Sequence, residues 1–154
     1  MNYLDAARDL RELVAECEAK FLRIADGDAG RSPGPDKWSR KQILGHLIDS
    51  AANNHQRFIR MQTTPVLSFP GYEQNDWVRL NHYQKRRWKE LVTLWAAYNR
   101  HLADVMERIA PDTLAHVWDK TGGQEHGDTR YDLEYVATDY VTHLRHHLAQ
   151  IDQI

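Results

Sequence analysis

Two histidines one helical turn apart stand near the C-terminus, His143 and His147 in His143-Leu144-Arg145-His146-His147-Leu148-Ala149-Gln150-Ile151. Residues four apart on an α-helix lie one above the other, so two imidazoles at this spacing can close on one divalent cation. A catalytic metal site usually takes three protein ligands and leaves one position for water or substrate. The candidate third ligand is His46, in Leu44-Gly45-His46-Leu47-Ile48-Asp49-Ser50, whose apolar neighbours place it near a core. A buried histidine needs partners for both ring nitrogens, and a metal on one with a carboxylate or carbonyl on the other would supply them. Asp49 and Ser50, three and four residues on, are the candidates to orient His46. His146 points away from the His143–His147 face and reads as a surface residue or as support for the ligands. A blander reading stays open. His143 and His147 could be half-buried histidines satisfied by neighbours, and His46 with Asp49 an isolated pair on a helix surface.

The rest of the nine histidines carry less. His55 lies too far along the helix from His46, and on another side of it, to share an ion. His82, His101, His116 and His126 show no paired spacing and are expected at the surface. Trp88 and Trp95 fall at core spacing, where packing is the simplest role for a large aromatic ring. Lys85-Arg86-Arg87 is expected on a helix as a solvated basic face. Cys17 falls on an apolar stripe, where a buried thiol is usually inert.

Four helices must position these groups. The first is expected from Tyr3 to Ile24, with Leu10, Leu13, Val14, Cys17, Phe21 and Ile24 at helical spacing. A Gly- and Pro-rich loop from Asp26 to Pro35 ends it. The second starts after Ser39, a natural N-cap, and runs through Ile43, Leu47, Phe58 and Met61 to a break before Pro65. The segment Thr63–Gln74 holds Pro65, Pro70 and Gly71 and is expected to be irregular. A short helical piece over Asp76–Asn81 precedes a long third helix striped by Trp88, Leu91, Val92, Trp95, Tyr98, Leu102, Val105 and Ile109, ending at Pro111. After a loop containing Gly122, Gly123 and Gly127, the last helix begins near Asp132, with Leu133, Val136, Tyr140, Leu144 and Leu148 facing inward. No stretch alternates polar and apolar residues long enough to suggest a strand. The expectation is an all-α four-helix bundle forming one domain over residues 1–154, and such bundles build metal sites from inward side chains on facing helices.

Composition narrows the function classes. With 20 Lys+Arg against 22 Asp+Glu the formal charge is -2, which gives no electrostatic reason to expect nucleic acid or an anionic membrane as partner. No apolar run approaches the ~20 residues of a membrane span. One cysteine permits no intrachain disulfide, and the N-terminus lacks a basic stretch followed by an apolar run, so a cytoplasmic location is expected.

The stretch Trp38-Ser39 through His46-Leu47-Ile48-Asp49-Ser50, followed downstream by His143 to Ile151, resembles the DinB-like superfamily and its YfiT-like group. That group carries Trp-Ser/Thr and His-x-x-Asp-Ser on its second helix and His-x-x-His-His-x-x-x-Ile on its last. Arg57-Phe58-Ile59-Arg60 and the Tyr72/Trp77 region are similar as well. The resemblance covers Trp38 to Ile151 and rests on the order and joint occurrence of short motifs. It implies an up-down-down-up bundle, often a homodimer, holding zinc or nickel through His46, His143 and His147. Members of the group are described as metal-dependent hydrolases, and others transfer or isomerise with a low-molecular-weight thiol such as bacillithiol, mycothiol or glutathione.

Three neutral imidazoles leave a divalent ion its full charge, enough to bring bound water to a pKa of about 7, or to ionise a thiol that starts near ~8.5. The expected activity is transfer of a thiol to an electrophilic small molecule. Hydrolysis by hydroxide is the alternative, and a metal-stabilised binding module without catalysis is the third reading. Under the thiol reading, Thr63–Gln74 and the loop from Thr121 to Arg130 would contact thiol and substrate.

Overall fold

The computed structural model describes residues 1–120 and 130–154. The elements run α1 (Tyr3–Phe21), α2 (Asp26–Ala29), α3 (Arg40–Arg60), β1 (Val66–Ser68), α4 (Gln74–Leu80), α5 (Trp88–Glu107), β2 (Val117–Asp119), β3 (Arg130–Asp132) and α6 (Leu133–Gln153), with 3-10 turns at Tyr83–Lys85 and Pro111–Thr113.

Local chemistry sets the helix starts. Asn2 and Asp5 form a capping box at α1, and Ser39 and Gln42 form one at α3, each exchanging side-chain and backbone bonds that satisfy otherwise orphaned amides. Asp132 accepts from the Tyr135 amide at 2.7 Å and starts α6. No side chain of Arg87 caps α5, but Asp26 on α2 accepts from the Trp88 amide at 2.8 Å and also pairs with buried Lys41 at 3.0 Å. The short α2 therefore ties the start of α5 to α3.

Contacts between the long helices fix their directions. Arg11 meets Asp104 and Glu107 while Glu18 meets Arg100, so α1 and α5 are antiparallel. Asp9 pairs with Arg145 and Lys20 with Asp152, so α1 and α6 run the same way. His55 meets Tyr98, and Gln62 beyond the end of α3 meets Ala110 beyond the end of α5, making α3 and α5 parallel. Arg40 reaches Ile151 and Ile154 while Phe58 packs on Tyr140, making α3 and α6 antiparallel. The order is up-down-down-up, as expected. Leu10, Val14, Phe21, Leu44, Leu47, Phe58, Trp88, Leu91, Trp95, Leu102 and Leu144 fill the core.

Several expectations need correction. The first helix ends at Phe21, three residues before Ile24. Lys85-Arg86-Arg87 is exposed, but it occupies the end of a 3-10 turn and the junction before α5, not a helix face. The bundle also carries a small sheet in the order β1-β2-β3, with Leu67 beside Trp118 in a parallel pair and Trp118 beside Tyr131 in an antiparallel one. Thr63–Gln74 is thus not wholly irregular. Strands of three residues are too short to show a period of two, and their partners are far apart in sequence.

Candidate metal centre

His46 projects from the middle of α3, and His143 and His147 project from adjacent turns of α6 on the facing wall. The three rings converge through their Nε2 atoms. His46 Nε2 stands 3.4 Å from His143 Nε2, and His147 Nε2 stands 3.1 Å from it. Nitrogens ~2.0–2.1 Å from one ion stand about 2.9–3.4 Å apart at angles from octahedral to tetrahedral. The observed separations fit that range. Hydrogen bonds alone do not satisfy the cluster. A neutral ring nitrogen carries at most one proton. With His147 Nδ1–H donating to Gln150 Oε1 at 2.8 Å, its Nε2 presents a lone pair, and every remaining assignment leaves one contact without a proton to share. A cation accepts all three lone pairs at once.

The electrostatics agree. Burial, then repulsion from the other two rings, holds His46 down to about 3, and burial followed by the neighbouring histidines holds His143 down to about 4. Burial also lowers His147, partly opposed by its bond to Gln150. The imidazoles are therefore neutral near pH 7, the form that binds a metal. Among the described residues, these three are the group of His, Cys, Asp and Glu side chains placed to hold an ion.

The expected supports divide differently. Asp49 does not orient His46. Its Oδ1 accepts from the Tyr83 hydroxyl at 2.6 Å and from Asn81 Nδ2 at 3.0 Å. Burial pushes its carboxyl up to about 6 against the Tyr83 bond. Ser50 is engaged by Asn54 and lines a cavity instead. His46 Nδ1 is buried with no hydrogen-bond partner among the described residues, and the Trp38 ring packs 5.2 Å from the imidazole. His146 is exposed, and its Nε2 lies 3.4 Å from Gln150 Nε2, the amide whose oxygen holds His147. It meets the centre through Gln150 and through an edge contact of its ring with His147 at 5.2 Å.

Two cavities flank the cluster. One of about 280 Å³ has His143 in its wall, with Arg57, Tyr72, Trp118 and Tyr140. The other, of about 580 Å³, has His147, Trp38, Gln74 and Asn75. The small sheet bounds the first. Trp118 on β2 is fixed by its Nε1–H bond to the Phe69 carbonyl at 2.8 Å, and the Arg57 guanidinium lies 3.9 Å over its ring.

A sequence profile described as the DinB superfamily matches residues 3–151. The chain belongs to the DinB superfamily. No curated protein matches it significantly. Among solved structures, YfiT from Bacillus subtilis is similar over 97% of this chain and 83% of its own, with a TM-score of 0.83 at 19% identity. YfiT is described as a probable metal-dependent hydrolase with an unusual four-helix bundle topology. At that identity the likeness shows the shared fold.

Within this DinB-superfamily bundle the described histidines His55, His82, His101 and His116 stay clear of the cluster. His82 and His101 are exposed. His55 bonds the Tyr98 hydroxyl at 2.9 Å. His116 was expected at the surface but is half-buried, its Nδ1–H donating to the Met61 carbonyl at 2.6 Å. Trp88 and Trp95 are core residues, as expected. Burial pushes the Cys17 thiol up to about 11, so it is protonated near pH 7. The loop contacts expected from Thr121 to Arg130, and His126 with them, fall outside the described residues apart from Arg130, which pairs with Asp119. Gln150, Tyr83 and Gly45 were not singled out from sequence. A Cβ on Gly45 would lie 2.1 Å from the Tyr83 ring, so glycine there lets Tyr83 close on Asp49. Gln150 had a readable signal, since it follows His147 by three and His146 by four on one helix face.

Proposed function

We propose that this DinB-superfamily protein is a divalent-metal-dependent enzyme that transfers a low-molecular-weight thiol to an electrophilic small molecule. The carrying observation is the convergence of three neutral imidazole Nε2 atoms, two of the separations being 3.4 and 3.1 Å, between two cavities. His46, His143 and His147 would hold zinc or nickel. A bound ion of this kind lowers the pKa of a coordinated thiol or water and so makes either one nucleophilic at neutral pH.

The chain's own residues do the rest. Gln150 fixes the His147 tautomer and keeps its Nε2 lone pair on the cluster. Trp38 packs over His46 and limits its rotation. Tyr72, Trp118 and Tyr140 give the smaller cavity apolar walls with a few polar atoms, the make-up of a small-ligand site. Thiol transfer ranks first because an ionised thiol needs no separate base, and the carboxylate in the described wall of that cavity, Asp139, is exposed. Hydrolysis is the second reading, supported by the description of YfiT.

Elemental analysis of protein purified without a nickel column is expected to find about one divalent ion per chain. Incubating that protein with monochlorobimane and each of bacillithiol, mycothiol and glutathione tests the reaction class. Conjugation that needs both metal and thiol supports the transferase. Cleavage of esters or amides without thiol replaces it with the hydrolase.

A further inference from the structure

The two buried cations of α3 are treated differently. Lys41 pairs with Asp26 at 3.0 Å. Arg57 is 6% exposed, yet among the described residues no carboxylate pairs with it. Its side chain donates from Nη1 to Asn54 Oδ1 at 3.2 Å and stacks on Trp118, while its Nε is buried with no hydrogen-bond partner. Arginine keeps its proton in proteins, so a full positive charge sits in this wall. A buried charge without a counterion is costly, and an anionic ligand would offset that cost. Arg57 lines the same small cavity as His143.

We infer that Arg57 anchors an oxyanion, carboxylate or phosphate, on the small molecule that enters the cavity beside the metal centre. The planar fork matches such groups in a bidentate fashion, and Trp118 and Asn54 hold it in one orientation. Tyr72, half-buried, stands in the same wall. The remaining charged residues of the wall, Lys120 and Asp139, are both exposed, so water screens them while Arg57 acts in a dry environment. At about 280 Å³ the cavity is near the lower end of ligand sites, which favours a molecule about the size of a single ring carrying one acidic group. The inference deepens the metal-dependent reading by giving its substrate class. The anchor and the centre are nevertheless separable.

Calorimetric titration of metal-free and metal-loaded protein with benzoate, phenyl phosphate and neutral benzamide tests it. At least one of the two anions is expected to bind metal-free protein roughly tenfold or more tightly than benzamide. The stronger of the two tells carboxylate from phosphate. Arg57→Gln is expected to erase that preference while leaving benzamide binding and metal content unchanged. Equal or undetectable binding of all three probes by wild type overturns the inference, as does a preference that survives Arg57→Gln. Should that variant fail to fold, Lys120→Met decides between the cavity's two cations. A retained preference supports Arg57 and a lost one overturns it. Protein that holds no metal yet still prefers anions keeps Arg57 and removes the metal-dependent reading.

Discussion

Between α1 and α5 the bundle is packed with Phe21, Trp88 and Trp95, whose rings meet at 5.7 and 5.9 Å, and its charges stay outside as Arg11–Asp104, Arg11–Glu107 and Arg100–Glu18 pairs. Along α3 the chain instead buries His46, Asp49, Ser50, Asn53, Asn54 and Arg57. With Lys41, seven of the eleven buried polar residues named among those described belong to α3, and none belongs to α1. Burying aromatic rings stabilises directly, while burying polar atoms costs free energy unless each finds a partner. Several here do not, since His46 Nδ1, Asp49 Oδ2 and Arg57 Nε lack one among the described residues, whereas in the aromatic seam Trp95 Nε1 alone is so placed. One seam of the bundle supplies stability, and the other carries most of the unpartnered buried polar atoms among the described residues.

The largest effect should separate the seams by function. His143 Nε2 is in contact with the Nε2 atoms of both His46 and His147, so His143→Ala removes the shared member of both contacts. Metal content is expected to fall from about one ion per chain to background, and any metal-dependent activity with it, while the helical circular dichroism signal persists. Retention of full metal content would sink the ligand assignment. Phe21→Ala should do the converse. Phe21 is fully buried between two tryptophans, and its loss is expected to cost about 3–5 kcal/mol in urea unfolding. The fraction that stays folded should still hold metal.

Gln150→Ala sharpens the contrast at smaller scale. Gln150 is half-buried and its recorded side-chain bonds go to His147 and His146. Metal affinity, measured by competition with a chelator, is expected to weaken about 10–100-fold. Thermal stability of the metal-free protein should change little. An unchanged affinity would show that the Gln150 bond does not set the His147 tautomer.

How much of this could be read beforehand follows the range of the interactions. The long helices, the cap at Ser39 and the start of the last helix near Asp132 were legible because they depend on residues within one or two turns. His143 and His147 were legible as a pair for the same reason, and His46 joined them through its setting and a motif resemblance. The sheet was not, because Val66 pairs with Val117 far away in sequence and each strand is three residues long. Nor was the real partner of Asp49. Spacing along α3 pointed it at His46, whereas Tyr83, brought close by the absence of a side chain on Gly45, takes its oxygen. Arg57 passed as part of a motif, because a missing counterion is invisible until the fold shows what surrounds the charge.

The smallest prediction concerns how the polar seam responds to pH, and it uses metal-free protein so that imidazole titration is not masked. Asp49 has its carboxyl raised from an ordinary 3.8 to about 6 by burial. Between those values the folded state keeps a proton that the unfolded state has released, so stability falls as pH rises through about 6. The histidines act in the opposite sense. His46 and His143, held down to about 3 and about 4, contribute fully above their ordinary 6.5 and lose that contribution as pH drops below it. Asp49→Asn isolates the first effect. The amide oxygen can still accept from Tyr83 and Asn81, and its NH2 replaces the carboxyl oxygen that has no partner among the described residues. The variant should match wild type near pH 4, where both are neutral at this position, and exceed it by on the order of 2 kcal/mol at pH 8, where wild type must bury a charge. Urea unfolding across that range reads the difference directly. A gap that does not grow with pH would mean that Asp49 is ionised in the folded protein throughout, its charge accommodated by the Tyr83 and Asn81 hydrogen bonds. The polar seam would then need no ligand at that position.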